Sequence, residues 1–157
     1  MFDVFGEFDS CEEINTVAQT LYEEQDWENL KTLARENGLE DMLEVYSNYP
    51  NKEDIVNGEV CLCDPIMAAI GKLKVEKENA KGWEFLAEDV VGYLMGNCDE
   101  ESFAREIRKK GKRIEKAAAL IAEEAKKNSM TIPGGGRCHY CGPMKGYKII
   151  RDYYKEA

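Results

Sequence analysis

Four of the six cysteines fall in two short pairs, Cys61-x-Cys63 and Cys138-x-x-Cys141, with His139 inside the second pair. Zinc takes four nitrogen or sulfur donors in a tetrahedron at about 2.0–2.3 Å, and a C-x-x-C turn supplies two of them from one tight loop. Two such pairs far apart in sequence are what a structural site needs. Gly142 directly follows Cys141 and tolerates the backbone angles of a metal knuckle, and Arg137 next to the pair favours thiolate over thiol. The expected ligands are therefore Cys61, Cys63, Cys138 and Cys141, with His139 as an alternative to one of the first pair. Four thiolates leave no open position for water, so the zinc would be structural, and its removal would melt the C-terminal third first. The competing readings are reduced thiols that merely pack, and a disulfide, which needs an oxidising compartment that nothing here indicates.

Other chemistry finds little support. The single histidine lies beside the candidate metal site, and no serine sits in a G-x-S-x-G turn. Gly134-Gly135-Gly136 lacks the Lys-Ser/Thr of a phosphate loop, and no Asp/Asn-rich segment fits a calcium loop. The expectation is a protein without catalysis.

The elements that must carry the cysteines read as helices. Ser10 and Glu13 form a capping box ahead of Ile14, Val17, Ala18, Leu21 and Tyr22. Asp26 caps a second helix that Gly38 stops, and Leu39, Met42, Leu43 and Tyr46 suggest a third. Residues 50–60 look like a loop. Asp64-Pro65 opens a helix with a capping carboxylate and a proline at the first helical position. Further helices are expected over 83–96, over 100–128 as one long helix capped by Asp99 and tolerating Gly111, and through Ile149 and Tyr153 at the end. The segment 129–144 reads as a Gly- and Pro-rich loop. The fold class is all-α: one domain of 157 residues with six to seven helices and a zinc-pinned loop.

Charge divides the chain. Residues 1–60 hold 16 acids and 3 bases, residues 61–102 hold 9 and 4, and residues 103–157 hold 6 and 14, for a net −10. A membrane protein, a collagen-like chain and a small secreted disulfide scaffold are excluded, and acids stand where a signal peptide would carry Lys or Arg. The run Arg105, Lys109, Lys112 and Lys116 raises nucleic-acid binding, but no aromatics are interleaved. These cations are expected to balance the acidic N-terminal helices instead.

Several stretches carry a family resemblance: MFDVFGEFDSCEEIN, WENLKTLARENGLED, DPIMAAIGKLKVE, IRKKGK and KGYKIIRDYYKEA. They resemble small helical proteins of phages and mobile elements of Gram-positive bacteria, some of which, including zinc-bearing ones, are anti-CRISPR proteins. The resemblance implies a non-enzymatic inhibitor of the type II CRISPR RNA-guided effector nuclease, acting in the bacterial host cytoplasm. It carries over no residue-level contacts and does not include the cysteines. The residues expected to face such a basic partner and hinder DNA loading are Glu23, Glu24, Asp26, Glu28, Glu40, Asp41 and Glu44. The alternative is a zinc-stabilised accessory protein of a mobile element that binds nucleic acid through residues 105–116.

Overall fold

The structure is a computed structural model that describes residues 1–139 and 141–156, the Cys138 side chain excepted. The helices run in chain order as α1 (Cys11–Glu23), α2 (Trp27–Glu36), α3 (Glu40–Ser47), α4 (Lys52–Val56), α5 (Pro65–Glu78), α6 (Glu84–Gly96), α7 (Glu101–Arg108), α8 (Ile114–Lys127) and α9 (Pro143–Lys155). A two-residue hairpin, β1 (Met130–Thr131) and β2 (Arg137–Cys138), precedes α9. The fold is all-α, and among the described residues this hairpin is the only sheet. None of the described helices is long and apolar enough to cross a membrane.

Local chemistry sets the helix starts. The Glu13 N–H donates to Ser10 Oγ at 3.3 Å, and the Glu13 carboxylate turns back to accept from the Asp9 N–H at 2.7 Å. Asp26 accepts from the Asn29 N–H at 3.2 Å and Asp64 from the Met67 N–H at 2.8 Å, each satisfying a helix-start donor. Asn51 does the same for α4, a short helix inside the segment expected to be a loop.

Two apolar clusters form the interior. Ile14, Leu21, Leu30, Leu33, Tyr46 and Ile55 build one from α1 to α4. Leu73, Val90, Leu94, Ile107, Ile114 and Tyr154 represent the other, built from α5 to α9. Each fully buried Leu or Ile contributes about 1.5–3 kcal/mol relative to exposure. Helix α5 lies between the clusters: Ala68 belongs to the first, Ala69 and Leu73 to the second. It is buried on several sides, including at Lys72 and Glu76, so it shows no clean apolar stripe.

The long helix expected over 100–128 is two helices. Lys109 leaves helical geometry at ψ 137°, and Gly111 has φ +80°, a left-handed position that favours glycine. The break is held from a distance. Lys72 Nζ donates to the carbonyls of Arg108 and Lys109 at 3.4 and 2.8 Å. The N–H of Lys110 donates to Asp9 and that of Gly111 to Glu7, at 2.9 and 3.2 Å. These partners satisfy backbone groups that the interrupted helix leaves open. The cap of α7 is Glu100, not Asp99, and its side chain makes no capping bond.

Candidate functional site

Asn15 on α1 grips the C-x-C segment on both sides: its Nδ2 donates to the Cys63 carbonyl at 2.8 Å, and its Oδ1 accepts from the Cys63 N–H at 3.0 Å. The same Oδ1 lies 3.5 Å from the Cys63 thiol, which donates to it. Cys63 is buried, and that burial pushes its thiol up to about 12. Burial likewise raises Cys11 and Cys98 to about 11, so these three groups are thiols at neutral pH. Cys61 is exposed and donates to the Gly58 carbonyl. Cys61 and Cys63 line a groove between α3 and α5, whereas Cys141 lines a different groove with Leu86, Val90, Ile121 and Ile150. His139 is exposed. The side chain of Cys138 lies outside the described residues. Among the described residues no three His, Cys, Asp or Glu side chains form a set that could hold a metal ion. Cys61 and Cys63 thus line one groove and Cys141 another.

The acidic residues sit on α1, α2 and α3 and the turns that join them. Glu23 ends α1, Glu24 is its C-cap, Asp26 caps α2, Glu28 lies in the first turn of α2, and Glu40, Asp41 and Glu44 lie on α3. All are exposed except the half-buried Asp26. None of the seven enters an ion pair among the described residues. A sharp turn at Gln25, with φ 58°, brings the end of α1 round to α2. Beneath it an aromatic chain runs inward: Trp27 meets Tyr22 edge-on at 5.4 Å, and Tyr22 meets Tyr46 at 5.6 Å. Burial pushes the Tyr46 hydroxyl up to about 12, aided by the neighbouring Cys61, Tyr22 and Glu23.

The cations of 105–116 have a different fate. Arg105 pairs with Glu12 at 2.8 Å and Glu101 at 3.0 Å, and the hydrogen bond from Arg105 holds the Glu12 carboxyl down to about 2. Arg113 pairs with Glu7 at 2.9 Å, and Lys109 with Glu106 at 2.8 Å. Lys112 donates to the carbonyls of Tyr153 and Glu156, and Lys116 to that of Gly111. Arg108 is buried and donates to Asn37 Oδ1 at 2.6 Å. Six of the seven cations of the segment are thus engaged by groups of the chain itself, and the exposed Lys110 is the seventh.

Sequence reasoning missed the buried polar centre that results. Lys72 pairs with Glu7 at 2.9 Å, and Glu76 lies 3.8 Å from Arg113. Burial opposes charge on Glu7, but Lys72, the Gly111 N–H and Arg113 outweigh it and lower its pKa. Burial raises Glu76 to about 7 against the pull of Lys72 and Arg113. Both Glu76 oxygens, two Arg108 nitrogens and the Tyr154 hydroxyl have no hydrogen-bond partner among the described residues. The available signal was Lys72 and Glu76 interrupting the apolar run PIMAAIGKLKVE. Comparison with known proteins gives no matching family model, no matching curated protein and no matching solved structure.

Proposed function

We propose that this chain is a non-enzymatic inhibitor that binds the type II CRISPR effector nuclease through its acidic N-terminal helices and hinders DNA loading or cleavage. One observation carries the reading. Seven carboxylates around α1–α3 have no ion-pair partner among the described residues, while Arg105, Arg108, Lys109, Lys112, Arg113 and Lys116 are engaged within the chain. A face on which acids outnumber the α2 bases Lys31 and Arg35 suits a basic macromolecular surface, and an RNA-guided nuclease holds its guide and target in a strongly positive channel. Charge complementarity would speed encounter and set orientation. Pull-down against the purified effector, with and without guide RNA, alongside a cleavage assay tests the proposal. Capture and inhibition are expected for the native chain. Both should fall on charge reversal across Glu23, Glu24, Glu28, Glu40, Asp41 and Glu44. Inhibition that survives the reversal would remove the acidic face from the contact.

Structural zinc belongs to the same proposal on the strength of cysteine spacing alone. Native mass spectrometry reads it directly. One zinc per chain, lost together with stability on strong chelation, is the supporting outcome, and a metal-free folded chain is the opposing one.

A further inference from the structure

An apolar groove of about 300 Å3 opens between α3 and the start of α5. Its first wall is one stripe of α3 and the residues after it: Met42, Val45, Tyr46 and Tyr49, at the spacing of a single helix face. Its second wall is the segment from Val60 to Asp64, closed by Met67 of α5. Val45 is 66 % exposed and Met67 38 %, so the stripe continues outward where no element of the described chain covers it. A helix normally turns such a stripe inward. The rim is acidic: residues 39–64 hold seven acids and a single base, Lys52. Asp41 and Glu44 stand on α3 beside Val45, Glu59 precedes Val60, and Asp64 lines the groove itself. All four are exposed, and none has an ion-pair partner among the described residues.

We infer that this groove receives a Lys/Arg-rich amphipathic helix of a partner protein, its apolar residues seated against Met42, Val45 and Met67 and its cations against the acidic rim. The inference rests on the reading of the acidic helices as a docking face, and it names the kind of segment that docks there. The physics is that of helix-in-groove recognition, in which anchors at i, i+3 or i+4 and i+7 give affinity and flanking charge gives selectivity. Two methionines in the walls suit it, since the unbranched thioether adapts to different anchors. Nucleic acid is the wrong occupant for an apolar channel with a negative rim. A free helix pays an ordering cost, so the affinity gained from a groove this small is modest and salt-sensitive.

The test uses the full chain and three probes in fluorescence anisotropy. The first is a synthetic amphipathic peptide with Leu at helix-face positions and Lys elsewhere. The second has the same Leu pattern with Glu replacing Lys, and the third is a single-stranded oligonucleotide. Only the Lys peptide is expected to bind, more weakly as salt rises. Val45→Lys is expected to weaken it about tenfold or more, and Asp41→Asn with Glu44→Gln several-fold. Phe85→Lys, at an exposed position on α6, is expected to leave it unchanged. Far-ultraviolet circular dichroism confirms that each variant is folded. Equal binding of both peptides, or undiminished binding by Val45→Lys, overturns the inference. So does a concentration-dependent dimer that Val45→Lys dissolves, because a second copy would then own the groove. Nuclease inhibition measured on the same variants separates the two readings. Peptide capture by a chain that leaves the nuclease active refutes the nuclease alone, and inhibition by a chain that ignores the Lys peptide refutes the groove alone.

Discussion

Lys72 Nζ and Glu7 Oε1 lie 2.9 Å apart, with no exposed surface on the lysine side chain and 7 % on the glutamate. The pair ties the N-terminal segment to α5. Lys72 also donates to the carbonyls of Arg108 and Lys109, and Glu7 accepts from the Gly111 N–H and Arg113. Two side chains therefore hold the N-terminus, the central helix and the break between α7 and α8. They are also where opposite charges of the chain meet in its interior, whereas Glu23, Glu24, Glu28, Glu40, Asp41 and Glu44 have no ion-pair partner among the described residues.

Breaking this pair from one side strands a charge in the interior. Glu7→Leu is expected to cost about 3–5 kcal/mol, because Lys72 and Arg113 both lose the carboxylate they contact directly, and among the described residues only Glu76 remains near them. Adding Lys72→Met removes the stranded charge and should recover part of that loss. Urea denaturation of the two single variants and the double variant closes the cycle. Losses that simply add would mean that the two groups do not act together.

The turn between α2 and α3 rests on α5 at Gly38 and Gly71. A Cβ on Gly71 would fall within the van der Waals shell of the Asn37 carbonyl oxygen, and Asn37 is fully buried and fixed by Arg108. Gly71→Ala is therefore expected to destabilise by about 1–3 kcal/mol, despite the gain in helix propensity. Gly92 on α6 has nothing within 4 Å of an added Cβ. Gly92→Ala should stabilise by up to about 1 kcal/mol. The opposite signs, read from denaturation midpoints, separate close approach from intrinsic propensity.

Glu36 holds the start of the chain. Its carboxylate accepts from the N–H groups of Asp3, Val4 and Phe5 at 2.9, 2.7 and 3.1 Å. Three donors converging on one buried anion are a charge-assisted set. Glu36→Ala should release this segment at a cost of about 2 kcal/mol. Hydrogen exchange reads it locally: the amides of Asp3, Val4 and Phe5 lose protection while those of α5 keep theirs. Unchanged exchange at these three positions would mean that the bonds do not hold the segment.

What the sequence made legible was local. The capping roles of Ser10, Asp26 and Asp64 depend on residues three positions away, so spacing alone identifies them. Most helices followed from apolar periodicity in the same way. The break at Gly111 was missed because its cause is remote: Asp9, Glu7 and Lys72 satisfy the interrupted backbone from other parts of the chain. A glycine costing about 1 kcal/mol in a helix does not by itself end one. The groove was hidden for a related reason. Val45 and Tyr46 read alike as apolar α3 residues, yet one is 66 % exposed and the other 3 %. The exposure of Glu23, Glu24, Glu28, Glu40, Asp41 and Glu44 was legible, because charged residues rarely bury without partners. Lys72, Glu7 and Glu76 are buried against partners remote in sequence, and the local mark they leave is only Lys72 and Glu76 interrupting the apolar run PIMAAIGKLKVE.

Glu76 gives the pH dependence its sign. Burial raises its folded pKa to about 7 from an ordinary value of 4.5. Lys72 and Arg113 favour its charged form, and Glu7 opposes it. Between these two pH values the folded chain holds a proton that the unfolded chain has released. Stability contributed by this group is therefore full below about pH 4.5, falls as pH rises, and levels off above about 7. The total change is about 3 kcal/mol at most. Glu7 works the other way: its lowered pKa adds stability that is present above its ordinary value and lost as pH falls below it. Together they place maximum stability near the lower end of the window, in mildly acidic solution. Glu76→Gln keeps the shape without the titration, so its denaturation midpoint should vary much less than the native chain's between about pH 5 and 7. A slope of the same size in both proteins would assign the titration to another group.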